Sequence, residues 1–150
     1  SDDYMDDSER PKSCAPRKIW VRKVNIVRHN CPRIGRYSVP RFTTPDTVIV
    51  ISGDTAPSDV LKQYSQGADV LIHEVYSEEG FAKKEPQWQK YHAKNHTSTT
   101  ELGRLAAEVK PKLLILYHQL LWGSTHETLI DEVKSEFSGT VVSARDLDVF

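Results

Sequence analysis

Three short apolar runs constrain the fold most: Thr47–Ser52 (TVIVIS), Asp69–His73 (DVLIH) and Leu113–Tyr117 (LLILY), each of which stops abruptly in polar residues. Runs this brief and this continuously apolar suit strands buried on both faces of a sheet. The segments between them carry helix punctuation. Ser58 caps a short helix that ends at Gly67, and Ser98-Thr99-Thr100-Glu101 forms a capping box ahead of Leu102, Leu105, Ala106 and Val109, in a helix that must stop before Pro111. Ser124 to Glu127 reads as a second capping box, with Leu129, Ile130, Val133 and Phe137 turned inward and Gly139 closing the helix before a last strand, Thr140–Ser143. Upstream, Ile19–Val27 reads as one strand and His29–Pro40, punctuated by Pro and Gly, as a loop. Arg41–Thr44 and Thr47–Ser52 read as a hairpin about the Pro45-Asp46 turn. Ser77–Lys94 is polar, with Phe81, Trp88 and Tyr91 as isolated anchors, and reads as a long surface loop with partial helix. The order β-β-β-α-β-α-β-α-β predicts an α/β layer, a mixed sheet covered by helices.

At 150 residues the chain has one domain's length, and 38% hydrophobic against 27% charged residues is ordinary for a globular protein. A net charge of -1 gives the whole chain no bias toward nucleic acid or membrane, and no apolar run approaches the roughly 18 to 20 residues of a membrane-spanning helix. Cys14 and Cys31 have no C-x-x-C spacing, which makes a reducing compartment, the cytoplasm, the default expectation. Residues 1–16 are expected to form an acidic, polar, poorly ordered lead-in to a domain over 17–150, in a chain that reads as trimmed or partial. From Pro11 to Pro45 there are nine basic residues and no Asp or Glu. They read as solvated outward positions of a hairpin, with a phosphate-facing surface or a basic RNA-binding module as the alternatives.

The chemistry sits where the strands end. TVIVIS runs into Gly53-Asp54-Thr55, DVLI into His73-Glu74, and LLILY into His118. In open α/β sheets sites form beyond the carboxyl ends of strands, and a charged or imidazole group delivered there by a buried strand is costly unless paired or coordinated. Three such endings in one small chain point to one polar site, with His29 as a fourth contributor, and imidazole plus carboxylate suits zinc or a similar ion. Any one of these residues alone is better explained as a structural histidine or an ordinary Asx turn. His92 and His96, four apart, form a rival zinc pair without a third ligand, and His126 in a first helical turn is expected to face solvent.

Taken in order, Val27-Arg28-His29, Arg41-Phe42, Ile51-Ser52-Gly53-Asp54-Thr55, Leu71-Ile72-His73-Glu74-Val75-Tyr76, His96-Thr97-Ser98, Leu116-Tyr117-His118 and Asp146-Leu147-Asp148-Val149 resemble the C-terminal half of a metallo-β-lactamase-fold hydrolase of the ribonuclease Z and arylsulfatase-like branch. The resemblance implies half of an αββα sandwich. It implies that His29 and His118 are metal-binding histidines and Asp54 the carboxylate bridging two zinc ions, which share a hydroxide nucleophile. His96 would act on the leaving oxygen, Glu74 would orient it, and His73 would be structural. The family's H-x-H-x-D-H motif is absent from these 150 residues, so the expected partner is the missing N-terminal half of the same fold. The interval between His29 and Asp54 is short where tRNA-processing members insert an arm that clamps tRNA, so the resemblance does not extend to tRNA 3′ processing.

The reading is therefore part of a metal-dependent hydrolase that acts on a phosphodiester, sulfate or related ester, small or nucleic-acid, through a metal-bound hydroxide and is inactive as the isolated chain. The alternative is a truncated, non-catalytic remnant or partner-binding fold. Exposed apolar edges at Thr140–Phe150 and the Trp20 strand predict self-association.

Overall fold

The computed structural model describes the backbone of residues 17–21, 24–31 and 35–150 and the side chains of residues 39–150. The acidic lead-in at 1–16 and the side chains of Trp20 and His29 lie outside the described residues.

Seven strands form one sheet in which spatial order follows chain order. They are β1 (Arg17–Val21), β2 (Val24–Cys31), β3 (Gly35–Thr43), β4 (Val48–Ile51), β5 (Val70–Tyr76), β6 (Leu113–Leu120) and β7 (Thr140–Ser143). β1 to β4 are antiparallel and β4 to β7 parallel. The split follows the connections: short turns allow antiparallel pairing, whereas each parallel step needs a crossover, here supplied by helices. Those helices are α1 (Asp59–Ser65), α2 (Glu78–Ala82), α3 (Pro86–Asn95), α4 (Thr99–Val109) and α5 (His126–Lys134).

The register separates the two faces of the parallel strands. Val50, Leu71, Leu114 and Val141 lie side by side and are buried against the helices, with Leu61 of α1, Leu102 and Ala106 of α4 and Leu129 and Val133 of α5 in the same core. One residue further along, Ile51, Ile72, Ile115 and Val142 line up on the opposite face, and all but Ile115 are only partly buried. A sheet face exposed to water alternates to polar residues; this second row is apolar too, as in sheets covered on both sides.

Four local expectations are corrected. Ile19–Val27 is two strands rather than one, and most of the expected loop His29–Pro40 pairs as the β2–β3 ladder from Cys31↔Gly35 to Val24↔Phe42. Gly35 and Pro40 look like loop punctuation, yet pairing with β2 holds the segment extended, and Pro40 is tolerated inside β3 despite its missing N–H because β4 pairs only with Arg41 to Thr43. Ser77–Lys94, expected as a surface loop with partial helix, is mostly helical, containing α2 and most of α3. α2 begins at Ser77, whose side chain accepts from Gly80 N, and α3 has Pro86 in its first turn. The α5 cap is Thr125, accepting from Thr128 N at 3.1 Å, rather than Ser124. The capping box at Ser98 and Glu101 forms as the sequence predicts.

Candidate active site

β4 ends at Ile51, and Gly53 at φ 68° turns the chain so that Asp54 emerges exposed beside the strand ends. That left-handed conformation is open to Gly at little cost. β5 carries Glu74 into the same region. β6 is irregular there: Glu74 pairs with Tyr117 and Val75 with Gln119, so His118 is the extra residue of a bulge. Its φ of 42° is uncommon for a residue with a Cβ and turns the imidazole out of the ladder. His118 Nδ1 lies 3.4 Å from Asp54 Oδ1, with both side chains about half exposed.

Glu74 is the buried centre of the site. Its Oε1 accepts from the backbone N–H of Thr97 at 2.9 Å and of Thr55 at 3.3 Å, and its Oε2 is 3.2 Å from His96 Nδ1. The Thr97 hydroxyl donates to the Thr55 carbonyl at 2.6 Å, and Tyr76 N donates to the Thr97 carbonyl at 3.0 Å. One carboxyl thus stitches the loop after β4 to the loop before α4. Burial pushes the Glu74 carboxyl up to about 8 against the two backbone donors, with the Asp54 charge adding to the rise. Burial also lowers His96, with Asp54 opposing and His92 and His118 reinforcing the shift. The His96 and His118 rings stack at 5.7 Å.

Among the described residues, Glu74, His96 and His118 offer ligand atoms that all lie within 4.8 Å of one another, the chemistry of a metal-binding group. The sequence-predicted Asp54, Glu74, His96 and His118 are therefore in one place. His29 is in β2, opposite Tyr37, with its side chain outside the described residues. His73 faces away into the core, its Nδ1 2.6 Å from the Glu74 carbonyl and its Nε2 buried without a hydrogen-bond partner among the described residues; burial lowers it to about 4. His126, expected at the surface, is half-buried with Nδ1 2.7 Å from the Ser143 hydroxyl.

Sequence reasoning missed Glu132. Its carboxylate accepts from the Ser77 hydroxyl, from Glu78 N and Glu79 N, and from the Thr99 hydroxyl at 2.7 Å, tying the start of α2 to the start of α4 just after the His96 loop. Nothing local marks it, because its partners lie 33 to 55 residues away. Trp122 was missed as well; its φ of 47° sets the indole 4.4 Å from the His92 ring.

No protein-family model matches the chain. The solved structure of the metallo-β-lactamase-fold protein YhfI from Bacillus subtilis superposes with a TM-score of 0.66 at 24% identity, covering 86% of this chain and 50% of that one. The human short-form tRNase Z superposes at 0.56 with 18% identity, covering 88% and 44%. The chain has half of a metallo-β-lactamase sandwich. Its sequence is similar to that of ribonuclease Z: it is 30% identical to the ribonuclease Z of Thermoplasma acidophilum over 95 residues, which are 63% of this chain and 29% of that enzyme. The chain thus spans less than a third of that curated relative and about half of the matched structures. No helix among the described residues is long and apolar enough to cross a membrane.

Proposed function

We propose that this chain supplies the leaving-group side of a zinc-dependent phosphodiester hydrolase. The observation that carries the reading is the Glu74–His96 contact at 3.2 Å beside the Asp54–His118 pair. Glu74 has both oxygens engaged and no exposed surface, which suits orienting His96 rather than holding a metal. Asp54 and His118 are accessible and offer carboxylate and imidazole donors, a set that fits zinc, with His29 of β2 as the third donor expected from sequence. Zinc held there would polarise the ester and activate water at neutral pH.

The protein's own proton chemistry follows from burial. With its pKa near 8, Glu74 is protonated at neutral pH and donates from Oε2 to His96 Nδ1, so the other ring nitrogen of His96 carries the N–H. That N–H can pass its proton to the leaving oxygen while Nδ1 takes the Glu74 proton. The resulting carboxylate is met by the Thr97 and Thr55 N–H groups. General-acid assistance of this kind contributes roughly 10²- to 10⁴-fold.

The second, partly buried apolar row of the sheet fits a covering layer, and the first half of the same fold, carrying H-x-H-x-D-H, is the partner proposed for it. The test is hydrolysis of bis(p-nitrophenyl) phosphate with added zinc, by the chain alone and combined with such a first half. Turnover is expected only in combination and is lost in Asp54→Ala. Turnover by the chain alone that survives Asp54→Ala refutes the reading.

A further inference from the structure

The α3 helix is not explained by the core. None of its ten residues is buried, and its cap residue Glu85 makes no side-chain capping bond. It is held by two mid-helix residues: the Gln89 amide donates to the carbonyls of Phe81 and Lys84 at 3.2 and 3.0 Å, and the His92 ring lies 4.4 Å from Trp122. Yet α3 presents Trp88 and Tyr91 to solvent, 50% and 54% exposed. Large half-exposed aromatics on a helix with no core role need another reason.

Their placement gives one. Starting from His118, the rings run without a gap to His96 at 5.7 Å, to His92 at 5.5 Å and to Trp88 at 6.1 Å, with Tyr91 edge-on to Trp88 at 6.1 Å and to His92 at 5.2 Å. The aromatic surface is therefore continuous with the proposed site. It is also basic. Lys84 Nζ sits 5.1 Å over the Trp122 ring, and Lys90 and Lys94 on α3 are exposed and make no ion pair among the described residues. Rings to stack on and cations to meet an anion are what a phosphoester bearing a flat organic group requires.

We propose that Trp88 and Tyr91 form a stacking platform for the aromatic group of the ester substrate, so that ring-bearing phosphodiesters are the preferred class. This rests on the phosphodiester reading of the site; the platform binds the ring of the ester whose phosphate lies at His96 and His118. Trp88 and Tyr91 are specificity-determining residues, separate from the groups that move protons.

The test is binding of three diesters by calorimetry: dimethyl phosphate without a ring, diphenyl phosphate, and the dinucleotide adenylyl-3′,5′-adenosine. The two ring-bearing diesters should bind about tenfold or more tightly than dimethyl phosphate, and Trp88→Ala should remove about tenfold from those two alone, with Trp88→Phe restoring most of it. Both residues are half-exposed, so the variants should keep the far-ultraviolet circular dichroism of the parent. Tighter binding of the dinucleotide than of diphenyl phosphate identifies the ring as a nucleobase, and the reverse order a simple aryl group; either supports the platform. Equal losses for all three diesters in Trp88→Ala and Tyr91→Ala, or no loss at all, overturn it. Ring-dependent binding without hydrolysis of any diester by the chain combined with the first half of the fold and zinc leaves the platform standing and defeats the phosphodiester reading, whereas hydrolysis by that combination without ring preference does the opposite.

Discussion

Replacing Glu74 separates what its oxygens do from what its proton does. Glu74→Ala removes the acceptor of two N–H groups, Thr97 at 2.9 Å and Thr55 at 3.3 Å, in a place where Glu74 itself is fully buried. A buried donor left unpaired costs about 1–3 kcal/mol. The Thr55 contact is long and belongs at the low end, which sums to about 2–4 kcal/mol, a large part of the roughly 5–15 kcal/mol that holds a domain of this size. Glu74→Gln keeps one oxygen for both donors and an N–H for His96 Nδ1. Because Glu74 is protonated at neutral pH, little charge is lost by the change. Urea unfolding at pH 7, followed by circular dichroism at equal slope, should place Glu74→Ala below Glu74→Gln by that amount. Coincident midpoints would refute the claim that this carboxyl stitches the two loops together.

Stability of the metal-free protein should depend on pH through two buried groups of opposite sign. Glu74, raised to about 8 from an ordinary 4.5, favours folding below 4.5, and this contribution is lost as pH rises toward 8; His73, lowered to about 4 from 6.5, favours folding above 6.5, and its contribution is lost as pH falls toward 4. The two oppose each other between 4.5 and 6.5, so melting temperature should fall most clearly between pH 6.5 and 8, and Glu74→Gln should flatten that fall. Gly80→Ala should destabilise by about 1–3 kcal/mol, because a Cβ there would meet the Leu121 carbonyl oxygen at 2.1 Å; an unchanged melting temperature would show that α2 can move away from β6. Light scattering across a concentration series should show self-association, since Leu147, Val149 and Phe150 are exposed and β1 and β7 are the two edges of the sheet; a monomer at high concentration contradicts this.

The parallel half of the fold was legible because its signals are local. Val50, Leu71 and Leu114 sit in runs too apolar to lie anywhere but a buried strand, and Ser98 and Glu101 cap each other three residues apart. The β2–β3 ladder was not, because its pairing, such as Ile26↔Pro40, depends on neighbours distant in sequence that outweigh the local proline and glycine signals. At the site, the strand endings announced Asp54, Glu74 and His118 as residue types. The contact that gives Glu74 its role, with Thr55 on one side and Thr97 on the other, joins residues 19 and 23 positions away and needs the fold to exist. The bulge that turns out His118 left a weaker trace, since LLILY simply runs on into His-Gln-Leu. The aromatic row across α3 was visible only as isolated anchors until the helix placed Trp88 and His92 one turn apart.

The central claim is that Asp54 and His118 form part of a metal site next to the Glu74–His96 pair. Titrating zinc into the metal-free protein by calorimetry tests it directly. Binding should weaken tenfold or more in both Asp54→Ala and His118→Ala and stay unchanged in His126→Ala, whose imidazole is hydrogen-bonded to Ser143. Zinc binding of equal strength in all four proteins would contradict it.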